Sequence, residues 1–163
     1  MFKGLFRKKQ VEQITSPVNG TVVELANVPD PVFSQKMMGD GLAVQPADGT
    51  IVAPLTGELV QLSETRHAFG IRSELGIEVL VHIGLETVAL KGEGFEVFVN
   101  QGQKVEKGQR IIQVDIPYIK KHAASDLVIM VVTNSQEDKF ILDFLNEQTV
   151  SAGQSDLLTV TVK

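Results

Sequence analysis

From Ile14 onward the chain is cut into short runs of Val, Ile, Leu, Phe and Thr by Gly, Pro, Asn or Asp, and this punctuation limits what it can fold into. The breaks recur about every eight to twelve residues, which suits strands and leaves little room for helices of ordinary length. The longest uninterrupted apolar run, Leu127 to Val132, spans six residues, against the roughly 20 that cross a bilayer as a helix. The expected fold is all-β: an antiparallel β-sandwich, barrel-sandwich-like with Greek-key or jelly-roll elements, carrying one or two short helices. A length of 163 residues suits one domain with a single sizeable core.

An internal echo supports a two-part core. Ser16-Pro17-Val18-Asn19-Gly20-Thr21-Val22-Val23-Glu24-Leu25 resembles Ala53-Pro54-Leu55-Thr56-Gly57-Glu58-Leu59-Val60-Gln61-Leu62 at an offset of 37 residues, each reading as a turn followed by a strand. The segment Gly102 to Ile112 reads as a β-turn leading into a strand, and Leu127 to Val132 and Leu157 to Val162 read as closing strands. One helix stands out, near Ile116 to Ser125, with Pro117 in its first turn. His122 lies there beside Lys120 and Lys121 and is expected to face solvent.

Residues 1–12 are expected to form a flexible, basic N-terminal segment and residues 13–163 the β-sandwich domain. The first ten residues carry Lys3, Arg7, Lys8 and Lys9 but no signal-peptide core, so a cytoplasmic protein is expected. Phe2, Leu5 and Phe6 beside those cations would suit weak contact with an anionic membrane surface, although so short a helix is marginal alone. Residues 11–163 hold 11 basic and 20 acidic groups, a net −9 that matches nucleic acid poorly. There is no cysteine, which excludes disulfides, thiolate metal sites and a cysteine nucleophile.

Two of the three histidines, His67 and His82, lie in segments that read as the arms of one hairpin, Thr65 to Arg72 and Ile77 to Ile83, around Ser73-Glu74-Leu75-Gly76. An even loop would make them cross-strand neighbours with Cβ atoms roughly 5 Å apart. A three-residue loop closed by Gly76 would slip the register by one and put them on opposite faces. His82 sits in the nearly continuous apolar segment Val79 to Gly84, so its imidazole is expected to be desolvated and neutral, leaving a nucleophilic ring nitrogen. Such a nitrogen, a fixed tautomer and nearby donors are what phosphoryl transfer requires. Thr65, read as lying on the same strand face as His67, would tie up one ring nitrogen of that residue, and Gly84 would allow close backbone approach.

Other chemistries fit less well. Two facing histidines with Glu78 or Glu86 would make only a partial zinc site, and no metal or cofactor is expected. No Gly-x-Ser-x-Gly elbow supports a serine hydrolase. Lys36-Met37-Met38, midway between the echoed units, resembles a biotinyl tip, but the flanking residues fit another pattern better.

That pattern belongs to a known family. Val28-Pro29-Asp30-Pro31-Val32-Phe33, Gly39 to Pro46, Thr65-Arg66-His67-Ala68-Phe69 and Val81-His82-Ile83-Gly84-Leu85-Glu86-Thr87-Val88, continued by Lys91-Gly92-Glu93-Gly94-Phe95, resemble the signature segments of the glucose-type enzyme IIA family of the bacterial phosphoenolpyruvate-dependent sugar phosphotransferase system. The resemblance runs from about Ile14 to the C-terminus. It implies that His82 takes a phosphoryl group on Nε2 from the histidine-containing phosphocarrier protein and passes it to a cysteine of a IIB domain. His67 would support transfer, Thr65 would orient His67, and Val32, Phe33, Val88 and Glu86 would meet partners. It also implies both imidazoles on one face, and hence the even loop. Since this chain has no cysteine, the IIB domain and the IIC permease that binds the sugar are expected on other chains. A monomer is expected, as are transient interfaces that let the relay turn over. Pro31 and Arg66 are departures from the family pattern that would tune partner choice. The alternative reading is a regulatory protein that binds permeases or metabolic enzymes according to the phosphorylation of His82.

Overall fold

The computed structural model describes residues 10–163. In chain order the strands are β1 (Gln10–Thr15), β2 (Gly20–Glu24), β3 (Asp40–Pro46), β4 (Thr50–Val52), β5 (Gly57–Leu62), β6 (Ala68–Arg72), β7 (Glu78–Leu85), β8 (Phe95–Val97), β9 (Lys104–Val105), β10 (Arg110–Val114), β11 (Ser125–Val132), β12 (Phe140–Phe144), β13 (Thr149–Val150) and β14 (Asp156–Val162). Two short helices interrupt them, α1 (Pro31–Ser34) and α2 (Ile116–His122). An eight-stranded sheet runs in the order β13-β2-β3-β11-β7-β6-β5-β9, and two three-stranded sheets run β1-β14-β12 and β4-β10-β8. Every strand pairing among the described residues is antiparallel, as the punctuation predicts.

The six-residue apolar run is explained by its position. It lies in β11, which is paired with β3 on one side and β7 on the other. Val128, Met130 and Val132 enter the main core, whereas Leu127, Ile129 and Val131 join a second cluster with Leu25, Phe33, Ala68 and Leu80. A strand covered on both faces has no polar alternation to display. Strand β7 follows the same plan, with Val79, Val81 and Ile83 in the core and Leu80 in the second cluster. On that second face the sequence places a histidine, His82, directly opposite Ile129.

The 37-residue echo is a reciprocal pair of contacts. The Thr15 amide donates to the Pro54 carbonyl at 2.9 Å, and the Val52 amide donates to the Pro17 carbonyl at 2.8 Å. The two turns thus exchange equivalent hydrogen bonds, and the strands after them, β2 and β5, enter the same sheet.

Two boundaries differ from the sequence reading, and one short helix is added to it. Residues 10–12 belong to the folded body, since β1 begins at Gln10 and pairs with β14 from Val162 inward; the rest of the basic segment lies outside the described residues. Helix α2 ends at His122 rather than near Ser125, which opens β11; Asp115 caps it by accepting from the Tyr118 amide, with Pro117 in the first turn. Helix α1 is one turn long, too short for periodicity to reveal. Pro31 is its first residue and the Asp30 carboxylate accepts from the Val32 amide.

The hairpin register also differs. Strands β6 and β7 pair Ala68 with His82, Phe69 with Val81 and Ile71 with Val79. This is the odd register: Glu74, Leu75 and Gly76 form a three-residue loop, and the even loop is not the one adopted. Gly76 has φ +85° and its amide donates to the Ser73 carbonyl at 2.9 Å, the geometry of a turn closed by a left-handed glycine. Asn134 pins this loop, donating to the Gly76 carbonyl at 2.8 Å and accepting from the Glu78 amide at 3.1 Å. Ala68 and His82 therefore form a close, non-hydrogen-bonded pair with Cα atoms about 4.5 Å apart. A strong Hα–Hα nuclear Overhauser effect between Ala68 and His82 is expected; one between His67 and His82 in its place would mean the even register.

Candidate functional site

In the odd register residue 67 stands opposite Ile83, whose amide donates to the His67 carbonyl at 2.7 Å. Continued strand alternation would send the His67 side chain to the core face with Ile83. Strand β6 begins only at Ala68, however, and the preceding turn breaks the alternation. Arg66 adopts φ +64°, a left-handed conformation uncommon outside glycine and asparagine, and its amide donates to the Ser63 carbonyl at 3.0 Å. The His67 ring comes to lie against His82 with centroids 4.9 Å apart and planes at 79°. The two imidazoles share a face for a reason other than cross-strand pairing.

His82 is fixed from below by its own strand. Its Nδ1 lies 2.8 Å from the Gly84 carbonyl, which can only accept, so Nδ1 carries the proton and the neutral ring's lone pair is on Nε2. Gly84 has φ +75°, and a side chain there would start 2.5 Å from the Thr87 methyl and 2.7 Å from the Ser125 carbonyl. Here the β7–β11 register shifts, between Ser125 and Val128, and Leu85 enters the second cluster. Buried Thr87 holds the following turn by donating its hydroxyl to the Ile83 carbonyl at 2.7 Å. Phe33 covers the His82 ring, with centroids 5.1 Å apart.

His67 faces hydroxyls instead. Thr65 Oγ1 lies 2.7 Å from its Nδ1, as the sequence reading proposed, although Thr65 sits in the turn and not on a strand face. Ser63 Oγ, which the sequence reading missed, is 3.4 Å from the same nitrogen and accepts from the Ala68 amide at 3.1 Å. A hydroxyl four residues before a histidine, across a turn tight enough to bring them together, was the available signal.

Burial, then the neighbouring His67, pushes the His82 pKa down to about 4, against the opposing effects of the Gly84 carbonyl and the Asp30 carboxylate. Burial also lowers that of His67, opposed by a hydrogen bond to the Thr65 backbone. His82 is therefore neutral at neutral pH, with a nucleophilic Nε2.

The remaining expected site residues divide by exposure. Val32 and Val88 present apolar surface to solvent, at 39% and 57% exposed, whereas Phe33 is 5% exposed and its ring is taken up by His82. Glu86, exposed and left-handed at φ +61°, and Val88 follow directly after the Gly84 bulge. The aliphatic part of Arg66 lies over Gly92. Lys36 follows α1, not a hairpin tip, and pairs with Asp40 at 3.5 Å. His122 is exposed and stacks on Tyr118 at 4.3 Å. Among the described residues no group of three or more His, Cys, Asp or Glu is placed to hold a metal ion, and no helix is long and apolar enough to cross a membrane.

The family profile described as phosphoenolpyruvate-dependent sugar phosphotransferase system, EIIA 1, matches residues 12–138. The chain belongs to that family. It is 42% identical over its whole length to the whole of the PTS system glucose-specific EIIA component of Bacillus anthracis. It is 43% identical to the protein of the same name from Halalkalibacterium halodurans, over all of this chain and 99% of that one. A PTS system glucose-specific EIICBA component from Staphylococcus saprophyticus is 46% identical over 83% of this chain, which spans 20% of that longer protein. Glucose permease IIA from Mycoplasma capricolum superposes with a TM-score of 0.86 at 35% identity, over 92% of this chain and 96% of that one. The protein is thus a IIA phosphocarrier of the sugar phosphotransferase system, a phosphotransferase component that works with the other components of that system. The all-β expectation agrees with the fold of these relatives.

Two outcomes follow from this geometry. The folded state holds His82 near pKa 4 while an unfolded histidine titrates near 6.5. The stability this gives is complete above pH 6.5 and is lost as pH falls toward 4, by about 3 kcal/mol. Urea denaturation at stepped pH should show that loss, and His82→Gln should remove it. Gly84→Ala, forced into a left-handed backbone and against Ser125, should cost about 2–4 kcal/mol in the same assay.

Proposed function

We propose that His82 carries the phosphoryl group on Nε2, receiving it from the histidine-containing phosphocarrier protein and passing it to a cysteine of a IIB domain on another chain. The observation that supports this most is the Gly84 carbonyl at His82 Nδ1, because it leaves Nε2 as the free nitrogen. The Nε2 lone pair attacks phosphorus, the donor's N–P bond breaks, and the electron pair of that bond returns to the donor imidazole. No proton moves, since Nδ1–H stays with the Gly84 carbonyl while the phosphorylated ring becomes cationic. Onward transfer reverses this: a thiolate forms the new S–P bond and the N–P pair returns to Nε2.

His67 supports the transfer, and Thr65 orients it through Nδ1. The partner meets the exposed apolar surface of Val32 and Val88, with Glu86 at the rim and Phe33 beneath as the support for His82. The relay operates in the cytoplasm between a monomeric carrier and transiently docked partners, and the fused EIICBA relative supports a IIB partner in particular. No observation favours the regulatory alternative.

Incubation with phosphoenolpyruvate, enzyme I and the histidine phosphocarrier should label the wild-type chain with acid-labile phosphate. Labelling of His82→Ala would overturn the assignment. His67→Ala should still accept phosphate but pass it to a IIB domain much more slowly, as rapid-quench transfer assays would show.

A further inference from the structure

We propose that residues 1–9 dock along the groove between β12 and the β2–β3 pair, seating Phe2, Leu5 and Phe6 on its apolar walls and setting their four cations against Glu24 and Glu147.

Strand β12 is an edge of its three-stranded sheet, and a groove runs between it and strands β2 and β3 of the eight-stranded sheet. About 430 Å³ of it is lined by Val22, Leu25 and Leu42 on one side and by Phe144 and Leu145 on the other. A further 190 Å³ or so is lined by Leu142 and Phe140. Val22 and Leu142 are only partly buried against the main core, and Phe144 and Leu145 are 42% and 40% exposed. Apolar side chains seated here would therefore extend the core. The far end is closed where the Val22 amide donates to the Gln148 carbonyl at 2.8 Å. The near end lies at Phe140.

The first nine residues enter the fold at that near end. Gln10 pairs with Val162 and Val162 with Phe140, so β1 and β12 stand two strand spacings apart, about 10 Å. Residues 7–9, extended, span about 10 Å. Residues 2–6 are then left to lie along β12, whose five residues Phe140–Phe144 run about 17 Å. Charge favours the same occupant. Lys36 is matched by Asp40 at 3.5 Å, whereas the exposed Glu24 and Glu147 pair with no cation among the described residues. Lys3, Arg7, Lys8 and Lys9 accompany the three apolar side chains within one short segment. An apolar groove rimmed by acids fits an apolar stripe flanked by bases. A second copy seated groove to groove would bring acid against acid.

The chain has no cysteine, so Gly4→Cys in the full chain takes a single nitroxide label. Its position is read from the broadening of backbone amide signals. A segment merely tethered at Gln10 would broaden the amides around Gln10, Thr161 and Phe140. Docking should also erase the signals of Leu145, Asn146 and Gln148 at the far end. Two variants separate docking from tethering: Phe6→Asp, which lies outside the described fold, and Glu24→Lys with Glu147→Lys, both at exposed positions. Each should restore the far-end signals and leave the broadening near Gln10 in place. Raising the salt concentration should weaken the far-end effect. Broadening confined to the Gln10 end would overturn the proposal, as would far-end broadening that survives both variants. So would far-end broadening of 15N-labelled chains by spin-labelled chains mixed with them, which would assign the groove to a second copy.

Discussion

The hydrogen bond from His82 Nδ1 to the Gly84 carbonyl exists because one residue near the end of β7 is left-handed. An ordinary strand would carry Leu85 back to the core with Ile83. At Gly84 the chain turns over instead, sending Leu85 into the second cluster beside Leu127, shifting the register against β11, and bringing the carbonyl under the imidazole. The same bulge leaves room for the Thr87 methyl and for Ile119 of α2, which a side chain at position 84 would meet. Fold and site share this constraint: the glycine that ends the regular strand also chooses which nitrogen of His82 is free.

That dependence bears on how the second face came to hold an imidazole. A strand buried on both sides, such as β11, exposes no polar row from which to build a site. Strand β7 differs by one residue, His82, placed where Leu or Val would otherwise complete the cluster of Leu80, Ile129 and Ala68. Its desolvation is therefore inherited from the sheet, and Phe33 from α1 completes it.

The strands and the desolvated His82 were legible in the sequence because they rest on composition over several residues. Leu127 to Val132 reads as a closing strand from its apolar character, and Gly84 announces a close approach. The hairpin register was not legible, since one extra loop residue separates the two alternatives and Ser73-Glu74-Leu75-Gly76 permits both. Shared-face imidazoles point to the even loop only if they must occupy paired strand positions, and here they do not. Arg66 supplies another route, and a left-handed arginine has no signature in sequence. Ser63 was missed for a related reason, because its reach to His67 exists only once that turn is formed.

The two imidazoles end up unequal through what their Nδ1 atoms face rather than through depth. A carbonyl accepts and cannot donate, so His82 keeps one tautomer before, during and after it would hold a phosphoryl group. Hydroxyls rotate, so the environment of His67 can follow a change in charge. At present burial keeps its proton affinity low, and each ring would oppose charge on the other. A phosphoryl dianion on His82 would reverse that relation, since a negative group close to His67 favours its charged form. The ring whose partners can reorient is the one that would meet this change, and the ring whose partner cannot would present the same nitrogen each time.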